Sequence, residues 1–228
     1  MAQLTIRQTS AELPTFDPET ALESLPRLGA QSRLAADFEF SDATVAAWEL
    51  TDANLLHGRV RMLRAVGAKI ARTRMDSVEF TGCDLSSLWW QGGKISRVRF
   101  DNCKFLAARV QAVTMEHVVF TGCKLDYTAF DQIRATGPVL FADCSLREAE
   151  LTGCDLARSL FDGCDLRLTG FGPGSYRRCD LRGNDLSAVI GAAHLKRVVI
   201  DRAQTMQLGE ALAEELDVTF GEEASNPA

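Results

Sequence analysis

The chain has 228 residues, 46% of them hydrophobic, and a formal net charge of −6. That composition supplies a core, but no run of eighteen apolar residues is present to cross a membrane as a helix. The opening "MAQLTIRQTSAELPTFDPET" has neither a basic start nor an apolar stretch, so no secretory signal is read and the expected compartment is the cytoplasm.

Residues 1–37 carry no regular pattern and are expected to form an N-terminal flap or cap. Within them "ETALESLPRL" from Glu19 could make a short helix limited by Pro26. From Phe40 a period of five begins. Phe40, Val45, Leu50, Leu55, Val60 and every fifth residue onward to Ala135 are hydrophobic. The register slips by one residue at Gly137-Pro138, resumes at Phe141 and runs to Leu186. The residue two before each of these is often small, as at Ala53, Ala68, Cys83, Cys103 and Cys123. Neither the helical period of 3.6 nor the strand period of 2 accounts for five. A chain that turns two of every five side chains inward and then rounds a corner does.

The segments "ANLLH" from Ala53, "CDLSS" from Cys83, "CDLAR" from Cys154, "CDLRL" from Cys164 and "CDLRG" from Cys179 resemble pentapeptide repeats, of pattern A-(D/N)-L-x-x. The resemblance covers roughly residues 38–190. It implies an all-β solenoid, a right-handed quadrilateral β-helix with four pentapeptides per coil. A coil of twenty residues explains why "VEFTGCDL" at Val78 returns as "VRFDNCKF" at Val98 and "VVFTGCKL" at Val118. Stacked coils should then form two internal core ladders. One is Phe80, Phe100, Phe120, Phe141 and Phe161; the other is Cys83, Cys103, Cys123, Cys144 and Cys164.

Residues 191–228 are expected to close the far end. "HLKRVVI" from His194 reads as a last strand, and Asp201 as the cap of a helix over roughly 202–216. "DVTF" reads as a short strand, followed by a polar tail. The helix serves either to cap the last coil or to join two copies, the latter being what the resemblance implies, so a monomer and a homodimer through the C-terminal end both stay open.

Seven cysteines, an odd number with no CxxC pair, argue against a disulfide framework or a zinc knuckle. The cysteine ladder is read as packing. His57, His117 and His194 stand apart from one another, so no metal and no cofactor is expected. "GFGPGS" from Gly170 lacks the lysine of a phosphate loop. No nucleophile and base are paired, and the chain is expected not to be an enzyme.

The informative residues are those expected to point outward. Residues 58–140 carry 13 basic and 7 acidic residues, whereas the flanking stretches are each net −6. Arg64, Lys104 and Lys124 should share one face, interrupted by Asp84, and Lys69 and Arg109 another, with Trp89 between them. Trp89 is either a contact or a local bulge. Asp155 and Asp165 belong to an acidic C-terminal set. These eight residues are the candidate interaction surface. The leading expectation is a non-enzymatic protein-interaction scaffold of unnamed partner. The resemblance supplies an alternative, a duplex-DNA mimic that binds DNA gyrase and gives quinolone resistance. Direct nucleic-acid binding is favoured less than either.

Overall fold

A computed structural model describes residues 2–16, 21–219 and 221. The chain winds as a β-solenoid with parallel ladders between coils. Phe40, Val60, Phe80, Phe100, Phe120, Phe141 and Phe161 follow one another in register. Four faces close each coil. Face I is centred on the Phe80–Phe161 column, face II on Leu85, Phe105 and Leu125, face III on Trp90, Val110 and Phe130, and face IV on Met75, Ile95 and Met115.

The corners explain the period. A left-handed backbone recurs nearly every fifth residue, as at Asp52 (φ 51°), His57 (φ 47°), Met62 (φ 51°) and Arg72 (φ 48°). Residues with a Cβ avoid this region unless their surroundings over-determine it. Here the inward large residue on either side of each corner pins it. Neighbouring rings on face I lie 5.0, 4.9, 4.9 and 4.6 Å apart, stacked from Phe80 to Phe161. Rings of other faces meet them edge-on, as Phe105 meets Phe100 at 5.3 Å.

The small inward slot has its own chemistry. Cys103 Sγ donates to the Phe80 carbonyl at 3.5 Å and Cys123 Sγ to that of Phe100 at 3.4 Å. Thr128 and Thr169 place a hydroxyl in equivalent slots and donate to Phe105 and Leu146. All seven cysteines are buried and free. Burial in an apolar slot pushes the Cys154 thiol up to about 11.

The one-residue slip is accommodated where the sequence places it. Met115 pairs with Ala135, twenty residues on, but Val118 pairs with Val139, twenty-one on. A compensating loss follows in the last coil, where Asp180 bridges Val199 at a separation of nineteen.

The N-terminal segment differs from the expected helix. Glu19 and Thr20 lie outside the described residues, and residues 21–28 are not helical. Strands β1 (Gln3–Ile6) and β2 (Thr9–Glu12) instead form an antiparallel hairpin. It lies along the side of the solenoid, where Ala11 meets Val119, Leu140 and Leu160, with Leu4, Ile6 and Leu13 around them. Those three face-I residues point outward and are apolar, so the hairpin covers what would otherwise be an exposed patch. Parallel pairing starts upstream of Phe38: β3 (Glu23–Ser24) pairs with β4 (Leu34–Ser41).

At the other end helix α1 (Gln204–Glu215) closes the last coil. The expected strand at His194 is instead a 3-10 turn, Ala192–His194, followed by turns. Asp201 is not the side-chain cap, because its carboxylate accepts from the Gly183 amide. "DVTF" forms no strand through Thr219, and Phe220 lies outside the described residues. The helix covers open backbone through amide side chains. Gln204 Nε2 donates to the carbonyls of Leu181 and Asn184, and Gln207 Oε1 accepts from the Leu186 amide. Among the described residues no helix is long and apolar enough to cross a membrane.

Candidate interaction surface

Outward residues stand in columns, one residue per coil. On face II, Arg64, Asp84, Lys104 and Lys124 bridge successively and continue to Ser145 and Asp165. On face III, Lys69 pairs with Trp89 and Trp89 with Arg109, continuing to Ala129, Glu150, Gly170 and Ile190. The two columns flank one edge of the rod and bring together seven of the eight expected residues.

Trp89 is not a bulge, since it keeps strict register with the coils on either side. It is 38% exposed, and Lys69 Nζ sits 5.4 Å from its ring centroid, a cation–π distance. The irregularity of "WWQGGK" lies further on. Gly93 has φ 102°, and a Cβ there would come within 2.1 Å of the Thr73 carbonyl, so the inward slot admits only glycine.

Asp155 does not join the set: it stands on face IV, in the column of Arg134 and Ser175, whereas Asp165 lies in the face-II column two coils beyond Lys124. Arg167 holds the Asp165 carboxyl below its ordinary value through paired hydrogen bonds. The other C-terminal carboxylates are also scattered. Asp162 is bound by Arg7 at 2.6 Å, and Asp180 by Arg182 and Arg7. Burial opposes ionisation of Asp180, but its bonds from Arg182 outweigh it and leave the carboxyl below its usual range. These acids form no single stripe.

Face III carries a feature that the spacing of charges did not reveal. Beyond Arg109 the outward column drops to Ala129 and again, past Glu150, to Gly170, while Tyr127 and Leu168, with Glu148 between them, stand up at the adjacent corner. The result is a trough. Its upper part, about 390 Å³, is lined by Trp89, Arg109, Gln111 and Asp131. It continues past Ala129 into a part of about 850 Å³ between Tyr127, Leu168, Ile190 and His194. Tyr127, Leu168 and Ile190 are 58%, 50% and 55% exposed. Arg109 marks one end, and Glu148 and Glu150 stand farther down. The signal for it was present in the sequence as large apolar residues at corner positions, where the other coils place small or polar ones.

The histidines are separate. His117 Nδ1 accepts the Glu12 amide at 3.2 Å and so anchors the hairpin, while His57 lies 3.9 Å from Asp37. Among the described residues no group of three or more His, Cys, Asp or Glu could hold a metal ion.

Residues 93–171 match the family model described as pentapeptide repeat region. No curated protein matches the chain. Among solved structures the chain is similar to a trypsin-treated form of QnrB1, a plasmid-mediated fluoroquinolone resistance protein. The TM-score is 0.45 at 17% identity, over 83% of this chain and 92% of that one. It is also similar to HetL, a pentapeptide repeat protein involved in heterocyst differentiation regulation from the cyanobacterium Nostoc sp. strain PCC 7120. There the TM-score is 0.24 at 16% identity, over 74% of this chain and 89% of that one. At such identity and overlap, neither says what this chain binds.

Proposed function

We propose that the chain, whose residues 93–171 match the pentapeptide repeat model, is a pentapeptide repeat protein and a non-enzymatic scaffold whose face-III trough receives an extended segment of a protein partner. The trough is the observation that carries this reading. Its exposed Trp89, Tyr127, Leu168 and Ile190 are the kind of aromatic and aliphatic anchors that dominate protein interfaces. Lys69 and Arg109 suit an acidic residue at one end of the segment, and Glu148 and Glu150 a basic residue midway along it. The interior supports the same reading. A gap among Trp90, Phe105, Met115 and Phe120 measures about 10 Å³, scarcely the space of one water and no room for a substrate.

The duplex-mimic alternative receives less support. A duplex presents a charge about every 1.7 Å along its axis. The carboxylates here are spread over four faces and several are neutralised by arginine. A gyrase supercoiling assay with and without a quinolone tests it directly.

The trough reading is tested by crosslinking and mass spectrometry with the wild type and with the triple variant Trp89→Ala, Arg109→Glu, Leu168→Asp. The expected result is a protein captured through face-III sites by the wild type and lost by the variant. Capture of the same proteins by both would rule the trough out as the interface.

A further inference from the structure

The insertion at Gly137-Pro138 has a consequence on the edge where face IV turns into face I. Upstream, that edge is a column of corner side chains, Ser77, Arg97 and His117. At the insertion the column breaks. A hollow of about 240 Å³ opens, lined by Thr136, Gly137, Pro138, Ala157, Arg158 and Arg177. A cleft of about 670 Å³ adjoins it through Pro138 and Arg158. Gln8, from the turn of the hairpin, and Thr9 and Ser10, at the start of β2, line this cleft together with Arg178 and Arg182.

Below the insertion, three successive coils load this edge with cations: Arg158, then Arg177 and Arg178, then Lys196 and Arg197. The Arg158 amide donates to the Arg177 carbonyl and the Arg178 amide to that of Arg197, which fixes the stacking. All five side chains are exposed, and among the described residues none makes an ion pair. Elsewhere on the rod many cations are matched, as Arg72 with Asp52, Arg97 with Asp76 and Lys94 with Glu116. Among the described residues the one carboxylate lining the cleft, Asp180, is already held by Arg182 and Arg7. Like charges stacked at about 4.8 Å per coil repel one another, and among the described residues no ion pair offsets that repulsion.

We propose that this edge binds the phosphate backbone of a nucleic acid. Four of the five cations are arginines, whose planar forks match phosphate oxygens in pairs. The hydroxyl of Thr9 and the amide of Gln8 are neutral donors of the kind that phosphate oxygens accept from, and the Ser10 hydroxyl beside them is paired with that of Thr5. Among the described residues no aromatic side chain lines either hollow, so the expected recognition is of phosphates and independent of sequence. Three loaded coils set a footprint of about three phosphates, and the net charge of −6 opposes a longer one. The edge is diagonally opposite the one flanked by Trp89 and Lys124, so the inference does not rest on the trough.

The test is fluorescence anisotropy of the full chain with labelled single-stranded and duplex DNA of about twenty nucleotides, between about 50 and 200 mM salt. The expected log–log salt slope is about −2 to −3, the value for roughly three displaced counterions, and it is the same for unrelated sequences. Arg158→Glu with Arg178→Glu should weaken binding by roughly tenfold or more and flatten the slope. Arg64→Glu with Lys124→Glu, on face II, should change neither. Absence of salt-dependent binding, or equal loss in the face-II variant, would overturn the proposal. So would competition by a polyglutamate peptide as effective as that by an unlabelled oligonucleotide, which would make this a site for acidic protein.

Discussion

Phe120 shows what one inward residue contributes. Its ring stacks at 4.9 Å on both Phe100 and Phe141 and meets Phe105 edge-on at 6.2 Å. Parallel ladders lock its backbone on both sides. A truncation therefore leaves a cavity that the neighbours cannot close, and Phe120→Ala should cost about 3–5 kcal/mol. Urea unfolding measures this, and a loss under about 1 kcal/mol would mean that the ring is not in the column. At this scale the sequence was most legible, because a five-residue period leaves each inward position chemically marked. The outward scale was less so. Trp89 was readable as an outlier, but its strict register was not, because the two glycines after it suggest a bulge equally well. In fact Gly93 fills an inward slot with no room for a Cβ.

At the scale of elements, the N-terminal hairpin and the C-terminal helix solve different problems. The helix covers the open end of the coil stack through Gln204 and Gln207. The hairpin covers a side, at Val119, Leu140 and Leu160. Removing residues 1–13 should leave the strand signal in circular dichroism, lower the melting temperature and create binding of an apolar dye. Absence of dye binding would mean that those three residues find cover elsewhere. Both ends of this contact are written in the sequence. Leu4 with Ile6 and Ala11 with Leu13 alternate as a hairpin should, and Val119, Leu140 and Leu160 occupy outward positions that Glu39, Arg59, Glu79 and Arg99 fill in earlier coils. Pairing two remote apolar sets requires knowing that the chain doubles back. The expected helix near Pro26 arose from local composition, which the ladder with Phe38 and Glu39 overrides.

Across the whole molecule, charge summed along the chain conceals charge arranged around the rod. The C-terminal stretch from residue 141 is net −6, yet it carries the five-cation edge of Arg158, Arg177, Arg178, Lys196 and Arg197. A solenoid sorts residues by position modulo the coil, so neighbours in sequence separate and residues twenty apart meet. Seven candidate residues gathered on two neighbouring faces for that reason, and Asp155 parted from Asp165 to the face opposite it for the same one.

The chain divides into inward residues that hold the fold and outward residues available for recognition. The most direct check is urea unfolding of the triple variant Trp89→Ala, Arg109→Glu, Leu168→Asp beside the wild type. All three side chains are at least partly exposed, and solvent-facing substitutions seldom cost much, so a total loss below about 2 kcal/mol with an unchanged m-value is expected. A loss comparable to that of Phe120→Ala would contradict the division, because face III would then be holding the coils together instead of offering itself to a partner.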